Sequence, residues 1–134
     1  MGAQRLEWTG EGLQFLGHTA YGSALMIGGD SEGSGAKPSD LLPLSLAART
    51  AYDAVVILRK QRQDLRGLEV ELTTHQDPEP PWAFRSIHML FVLTGVVDLV
   101  KAQKAVALAE SKSCSVAATL RSVVELTHEV RVIG

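Results

Sequence analysis

The sequence is short of cysteine: Cys114 is the single one among 134 residues. One cysteine cannot close a disulfide within the chain, and it cannot supply a cysteine-based zinc site or a couple of two thiols. The four histidines show no ligand-like spacing to one another or to Cys114, and His128 is interpreted as a hydrogen-bonded core residue. The glycines form no dinucleotide-binding fingerprint. The sequence therefore predicts no metal and no cofactor.

An excess of charge of one sign is also missing. There are 13 lysines and arginines against 15 aspartates and glutamates, which gives a net charge of -2. Because a phosphate-binding surface needs an excess of Lys and Arg, we expect no nucleic-acid partner. The apolar windows at residues 41–58 and 87–100 are interrupted by polar and charged residues, so we expect no membrane span. No secretory signal opens the sequence, and we expect a cytoplasmic protein.

Short apolar runs separated by glycine open the chain. Leu6 and Trp8 alternate with polar residues, Leu13 and Phe15 follow a glycine turn, and residues 24–27 follow another. Alternation with this punctuation is typical of strands joined by tight turns, and it predicts a three-stranded antiparallel meander. The segment GGDSEGSGAKP, residues 28–38, then predicts a loop.

Residues 41–58 predict a long helix with apolar side chains on nearly every face, the pattern of a helix buried on all sides. We expect Ser39 to cap its N-terminus and Asp40 to add favourable negative charge there. A cationic run followed by Gly67 predicts the end of the helix.

After the long helix, the sequence predicts two strands, one from Leu68 to about His75 and one over residues 84–93 that is broken by Gly95. It then predicts a helix over residues 96–111, a short helix from Ser113 or Cys114 to Arg121, and a last strand over residues 124–132. This order predicts an α+β fold rather than a parallel βαβ fold, in a single domain of residues 1–134. A helix with apolar side chains on every face must be packed against other elements on all sides, which 134 residues arranged in two layers do not easily provide. A homodimer that sandwiches the long helices is the simplest solution.

Cys114 lies in the segment SKSCSVAATL. If Ser113 caps the short helix, Cys114 occupies its first turn, where amide N–H groups and the helix dipole favour the thiolate over the thiol. Lys112 adds to this effect. The alternative interpretation is a small buried hydrophobic residue without chemistry.

Arg49 stands in the middle of the most apolar stretch, where a guanidinium is costly to bury unless it is paired or reaches water. Asp53 follows four residues later on the same helix face. The two residues form either a self-satisfied ion pair at a helix or subunit interface, or part of a site in which Arg49 holds an anion in a cavity.

Five segments occur in a characteristic order: GLQFLG, PSDLLPLSLAARTAYDAVVILRKQRQDLRGLEVEL, PPWAFRSIHMLFVLTG, SKSCSVAATL and LTHEVRV. In this order they resemble the OsmC/Ohr family (osmotically induced protein C and organic hydroperoxide resistance protein). Residues 38–72 are the most specific part and are similar to the OsmC branch. The resemblance implies an oxidative-stress protein with an intertwined α+β homodimer, in which sheets from both subunits wrap two long central helices.

The resemblance also implies site residues. Members of the family reduce organic hydroperoxides with one cysteine that attacks the peroxide and a second that resolves it, assisted by a carboxylate and an arginine. Cys114 matches the second cysteine, Asp40 matches the carboxylate, and Arg49 stands where the attacking cysteine is found. No arginine between Arg5 and Arg49 matches the activating arginine. Because arginine is no thiolate nucleophile, the two-cysteine cycle cannot run in this chain.

Two functions remain open from the sequence. In the first, the chemistry is lost and a pocket holds a small amphiphile, such as a fatty acid whose carboxylate binds Arg49 beside Asp53. In the alternative, Cys114 is the catalytic thiol of a one-cysteine organic hydroperoxide reductase that uses an external thiol. Both functions predict that Arg49 and Cys114 lie within about 10 Å of each other at the dimer interface, because groups that share one centre must each approach it closely.

Overall fold

The computed structural model describes residues 2–29 and 34–134 and confirms the α+β fold. The chain forms two compact units, whose boundary falls between Leu42 and Pro43 in the sequence. In chain order the elements are β1 (Arg5–Trp8), β2 (Gln14–His18), β3 (Ala24–Gly28), a 3-10 turn (Pro38–Asp40), α1 (Leu41–Lys60), β4 (Asp64–Gln76), β5 (Phe84–Val96), α2 (Leu99–Leu108), a π-helical turn (Ala109–Ser113), α3 (Ser115–Leu120) and β6 (Glu125–Ile133).

The first unit contains the predicted meander, with β2 between β1 and β3 and both pairs antiparallel. Leu6 pairs with Gly17, and Trp8 pairs with Phe15, so the alternating apolar side chains of β1 and β2 share one face. Leu6 and Trp8 are nevertheless exposed on that face. Residues 30–33 of the predicted loop lie outside the described residues, and Ala36 beyond them bridges Ile27.

The start of the long helix differs from the prediction. Ser39 does not cap it, because residues 38–40 already form a 3-10 turn that continues into α1. Lys37 is the extended residue before this turn and makes no side-chain cap bond, while Pro38 suits the first position because its φ is fixed near helical values. Asp40 lies in the first turn, as predicted.

The end of the helix also differs. α1 ends at Lys60, and Arg62 reverses the chain with a φ of 57°. Gly67 does not terminate the helix but lies inside β4, next to a register shift between Leu65 and Gly67. A left-handed turn at a non-glycine residue leaves no mark in the sequence comparable to glycine, which explains the error.

Only one face of α1 is buried within the chain, so burial on all sides is wrong for the chain by itself. The buried residues follow helical spacing: Pro43, Leu46, Ala47, Thr50, Ala54 and Leu58. The other side leaves Leu44, Tyr52 and Val56 exposed. By length and composition alone, Pro38–Lys60 would suffice to cross a membrane, but this is weak evidence because the core helix of a soluble protein passes the same test.

The second unit contains a three-stranded sheet in the order β4-β5-β6. β4 and β5 form a long antiparallel hairpin, whereas β6 pairs with β5 in parallel after the chain has crossed over through α2 and α3. The α+β fold thus includes one parallel crossover, between β5 and β6, which the sequence analysis does not predict. Gly95 does not end β5, which continues to Val96 with Gly95 at a φ of 134°. The helix predicted over residues 96–111 is shorter and gives way to the π-helical turn.

The core of the second unit lies between this sheet and the helices. Ile87, Met89, Phe91 and Leu93 alternate along β5 and are fully buried. Residues from α1, α2, the π-helical turn, α3 with its cap, and the turn before β6 complete the same cluster: Leu46, Ala47, Ala54, Leu58, Ala102, Ala105, Val106, Ala109, Cys114, Ala117 and Val124.

Candidate functional site

Cys114 is the N-cap of α3 rather than a residue of its first turn. The π-helical turn takes up Ser113, and Cys114 adopts an extended conformation with φ -84° and ψ 106°. Its Sγ accepts a hydrogen bond from the Ala117 amide at 3.3 Å, and its own amide donates to the Ala109 carbonyl at 2.9 Å. The residue is 2% exposed and belongs to the core cluster. Cys114 thus combines a buried position with an N–H donor directed at its sulfur.

Arg49 and Asp53 form the ion pair expected for residues four apart on a helix, with 3.4 Å between Arg49 Nη1 and Asp53 Oδ1. The two side chains are 41% and 15% exposed, so the guanidinium reaches the surface while the carboxylate lies largely beneath it. The Arg49 Cζ also lies 5.3 Å from the ring centroid of Tyr52, within the range of a cation–π contact. The ion pair that the spacing predicts is therefore present, and a role of Arg49 in holding an anion stays a prediction.

Two buried side-chain oxygens in the middle of α1 have no hydrogen-bond partner within residues 2–29 and 34–134. They are the second carboxylate oxygen of Asp53, Oδ2, and the hydroxyl oxygen of Thr50, Oγ1. Thr50 is fully buried on the inner side of α1. Unsatisfied polar atoms in a dry site are costly. They mark the middle of α1 as the least satisfied polar region that the structure describes.

The predicted site residues fall in different parts of the chain. Asp40 lies in the 3-10 turn of the first unit, whereas Arg49, Asp53 and Cys114 belong to the second unit. Within the second unit, Arg49 and Asp53 are brought into direct contact. The proximity of Arg49 to Cys114 stays a prediction.

A groove that the sequence does not reveal runs between α2 and β6, with a volume of about 550 Å³. This is within the size range of small-molecule sites. The residues that line it come from both elements: Val100, Gln103, Lys104, Ala107, His128, Glu129 and Val130. Spacing along the chain could not find it, because α2 and β6 are separated by the π-helical turn and α3.

His128, one of the residues that line this groove, pairs with a carboxylate that is not among them. His128 Nδ1 lies 2.7 Å from Glu110 Oε2, and the side chains are 27% and 17% exposed. The backbone carbonyl of Glu110 accepts a second bond, from the Arg121 guanidinium at 2.9 Å. His128 is therefore hydrogen-bonded, as predicted, through a partner on the π-helical turn, but it lines a surface groove and does not belong to the core.

No group of three or more His, Cys, Asp or Glu side chains that could hold a metal ion occurs in the part of the chain that the structure describes. The pair of His128 and Glu110 is smaller than such a group.

A family model described as OsmC-like protein matches residues 29–129. The chain belongs to the OsmC-like family. Protein YhfA of Escherichia coli K12 is 37% identical over 132 residues, which cover 97% of each chain.

Solved structures share the fold of this OsmC-like chain. An OsmC-like protein from Mycoplasma pneumoniae superposes with a TM-score of 0.82 at 13% identity, covering 100% of this chain and 98% of that one. An organic hydroperoxide resistance protein OsmC from Legionella pneumophila superposes with a TM-score of 0.69 at 18% identity, covering 98% and 96%. The OsmC-like chain thus shares its fold with a protein named for hydroperoxide resistance, while it contains a single cysteine itself.

Proposed function

We propose that this OsmC-like protein has lost the two-cysteine peroxidase cycle and binds a small anionic amphiphile through Arg49. The observation that carries the proposal is the Arg49–Asp53 pair, at the place where the family resemblance puts the attacking cysteine. A single cysteine, 2% exposed, leaves no second thiol with which to close an intramolecular disulfide.

The contacts of Arg49 leave donors for a ligand. A guanidinium carries five N–H donors in a fixed fork, and the ion pair with Asp53 engages Nη1. A carboxylate that approaches the exposed side of the fork accepts from the remaining donors, while Asp53 keeps the guanidinium oriented. Tyr52 and Val56 lie exposed on the same helix and offer apolar surface to an alkyl chain.

The proposal includes a homodimer of cytoplasmic subunits, each acting as one domain of residues 1–134. The family model spans the boundary between the two units, which supports a single domain. Two apolar surfaces support the dimer: the face of β1 with Leu6 and Trp8, and the side of α1 with Leu44, Tyr52 and Val56. Surfaces of this kind mark association sites, and a second copy is the simplest cover.

Native mass spectrometry of the purified protein tests the binding function. We expect a retained or added fatty acid that is lost in Arg49→Met and kept in Arg59→Met, an exposed arginine near the end of the same helix. Equal retention by the two variants would show that Arg49 is not the anchor. A second variant, Arg49→Cys, restores the second thiol, and we expect it to gain organic hydroperoxide reduction in the presence of dithiothreitol.

A second candidate function rests on Cys114. The Ala117 amide donates a hydrogen bond to Sγ, and Cys114 is the thiol that would attack the peroxide. Attack on the O–O bond of ROOH would give a sulfenic acid and ROH. One external thiol would then form a mixed disulfide with loss of water, and a second would release the enzyme thiol and a small-molecule disulfide.

A turnover assay separates the two candidates. Wild-type protein is mixed with cumene hydroperoxide and dithiothreitol, and Cys114→Ser serves as the control. Because Cys114 is buried, we expect no turnover above the control. Turnover that disappears in Cys114→Ser would establish the one-cysteine reductase and overturn the binding function.

A further inference from the structure

One end of the second unit combines exposed aliphatic side chains with several cations. It is formed by the turn after α1 and the start of α2, which are joined by a hydrogen bond of 2.9 Å from the Asp98 amide to Gln63 Oε1. The sheet holds the same segments together, since Asp64 pairs with Val96. This basic end consists of six residues: Lys60, Arg62, Val96, Leu99, Val100 and Lys101. We propose that the basic end binds the surface of a bilayer that contains anionic lipids.

The aliphatic residues of the basic end are held outward. Val96 is 70% exposed at the end of β5, and Leu99 and Val100 are 45% and 54% exposed at the start of α2. The opposite side of α2 is fixed by three buried residues: Ala102, Ala105 and Val106. Aliphatic side chains on the outer side of a helix can enter the boundary between head groups and acyl chains while the helix stays parallel to the membrane.

Positive charge is concentrated at the same end. Residues 59–66 and 96–104 contain six lysines and arginines against two aspartates, in a chain whose net charge is -2. An anionic surface attracts this end and repels the rest of the molecule, so the uneven charge distribution orients the protein.

The acidic groups at this end do not neutralise the cations of the basic end. The Asp64 carboxylate accepts from the Arg66 guanidinium at 2.7 Å, and the Asp98 carboxylate accepts from the backbone amide of Lys101 at 2.9 Å. Among the described residues, the side chains of Lys60, Arg62 and Lys101 make no ion pair or hydrogen bond. These three cations are therefore available to lipid phosphates.

A bilayer matches both properties of the basic end, which other partners do not. A nucleic acid would satisfy the cations but leave the aliphatic side chains against a polar backbone, and the six residues include no aromatic side chain on which a base could stack. A second copy bound through the same end would bring like charges together. Contact with a membrane surface needs no spanning segment. Arg49 has no part in this surface, because it lies in the middle of α1 and pairs with Asp53.

Flotation of the purified protein with lipid vesicles tests the charges. We expect binding to vesicles of phosphatidylcholine with phosphatidylglycerol, no binding to phosphatidylcholine alone, and release at about 1 M salt, where charges are screened. Lys101→Gln should weaken binding about fivefold, and Lys101→Gln combined with Lys60→Gln about twenty-five-fold. Lys112→Gln, an exposed lysine beyond the far end of α2, removes the same charge and should leave binding within about twofold of the wild type.

A matched pair of leucines tests the aliphatic contact. Leu99 and Leu108 are 45% and 44% exposed at opposite ends of α2. Leu99→Ser should weaken vesicle binding about fivefold, whereas Leu108→Ser should not. Arg49→Met should float like the wild type, so vesicle binding is distinguished from the binding of a free amphiphile at Arg49.

Other outcomes would overturn the proposal. They are the absence of flotation, equal flotation with neutral and anionic vesicles, or equal losses within the lysine pair or the leucine pair. Retardation of an oligonucleotide without flotation would assign the cations to a nucleic acid. A change of oligomeric state in Leu99→Ser, with vesicle binding unaltered, would assign the aliphatic residues to an interface between copies.

Discussion

Oε2 of Glu110 lies 2.7 Å from Nδ1 of His128, which ties the π-helical turn to the last strand of the sheet. The π-helical turn directly follows α2 and ends its regular α-helical geometry. Turns of this kind are frequent at functional sites. The same turn positions Cys114 as the N-cap of α3. The π-helical turn thus sets the position of Cys114 and supplies the hydrogen-bond partner of His128.

Removing the charge of Glu110 is expected to destabilise the protein. Glu110→Gln keeps the size of the side chain but replaces a charged acceptor in a largely buried pair, which costs about 1–3 kcal/mol in the free energy of unfolding. Glu125→Gln, at an exposed position at the start of β6, should change it by less than about 0.5 kcal/mol. Urea unfolding of both variants measures the difference, and equal midpoints would contradict a structural role of the pair.

The hydroxyl of Thr50 should be dispensable within the chain. Its Oγ1 is buried and has no hydrogen-bond partner among the described residues, so Thr50→Val removes an unsatisfied polar atom while keeping the branched shape. We expect stabilisation of about 1 kcal/mol by chemical denaturation. Thr73→Val on the exposed side of β4 is the control, with a change within about 0.5 kcal/mol. A loss of stability in Thr50→Val would mean that another molecule binds the hydroxyl.

Two glycines in the same pair of strands should respond in opposite directions. Gly95 has a φ of 134°, and an added Cβ would collide with the backbone carbonyl oxygen of Asp64, so Gly95→Ala should lose several kcal/mol or fail to fold. At Gly67 an added Cβ would meet Thr94 Cβ at 3.5 Å, an ordinary contact. Gly67→Ala should therefore be neutral or gain about 0.5–1 kcal/mol. Thermal unfolding of the two variants tests this, and similar losses would refute it.

The Arg85 guanidinium hydrogen-bonds Asp77 and lowers the pKa of that carboxyl below its ordinary value. Because the folded-state pKa is lowered, the contribution to stability is full above the unfolded pKa of about 3.9 and is lost as the pH falls through the lower folded value. NMR titration of the Asp77 carboxyl should show a rise in pKa in Arg85→Gln. Arg66→Gln, near the other end of β4, should leave the Asp77 titration unchanged.

Periodicity predicted most of the secondary structure correctly. The meander of β1, β2 and β3, the long helix and the alternating strands all follow from patterns of apolar residues that repeat over a few positions. The errors lie at the ends of helices, where the conformation of one residue determines the boundary. Arg62, and not Gly67, turns the chain after α1, and Ser113 belongs to the π-helical turn instead of capping α3. Local geometry of this kind leaves no periodic signal.

The candidate site was predictable only in part. The Arg49–Asp53 pair follows from spacing of four along a helix, and the structure confirms it. The groove was not predictable, because Lys104 and His128 meet only through the parallel pairing of β6 with β5. Long-range pairing depends on the whole topology, which a single sequence does not display.

The parallel pairing of β6 also has a consequence for the order of folding. β4 and β5 are joined by a short connection, residues 77–83, so their hairpin closes a small loop early. Pairing β6 with β5 closes the longer loop that contains α2 and α3, so we expect it to follow the hairpin. Until β6 pairs, one edge of the apolar strand β5 has no neighbour. During that interval the hairpin is a template for other strands, and aggregation during refolding should decrease as α2 and α3 dock faster.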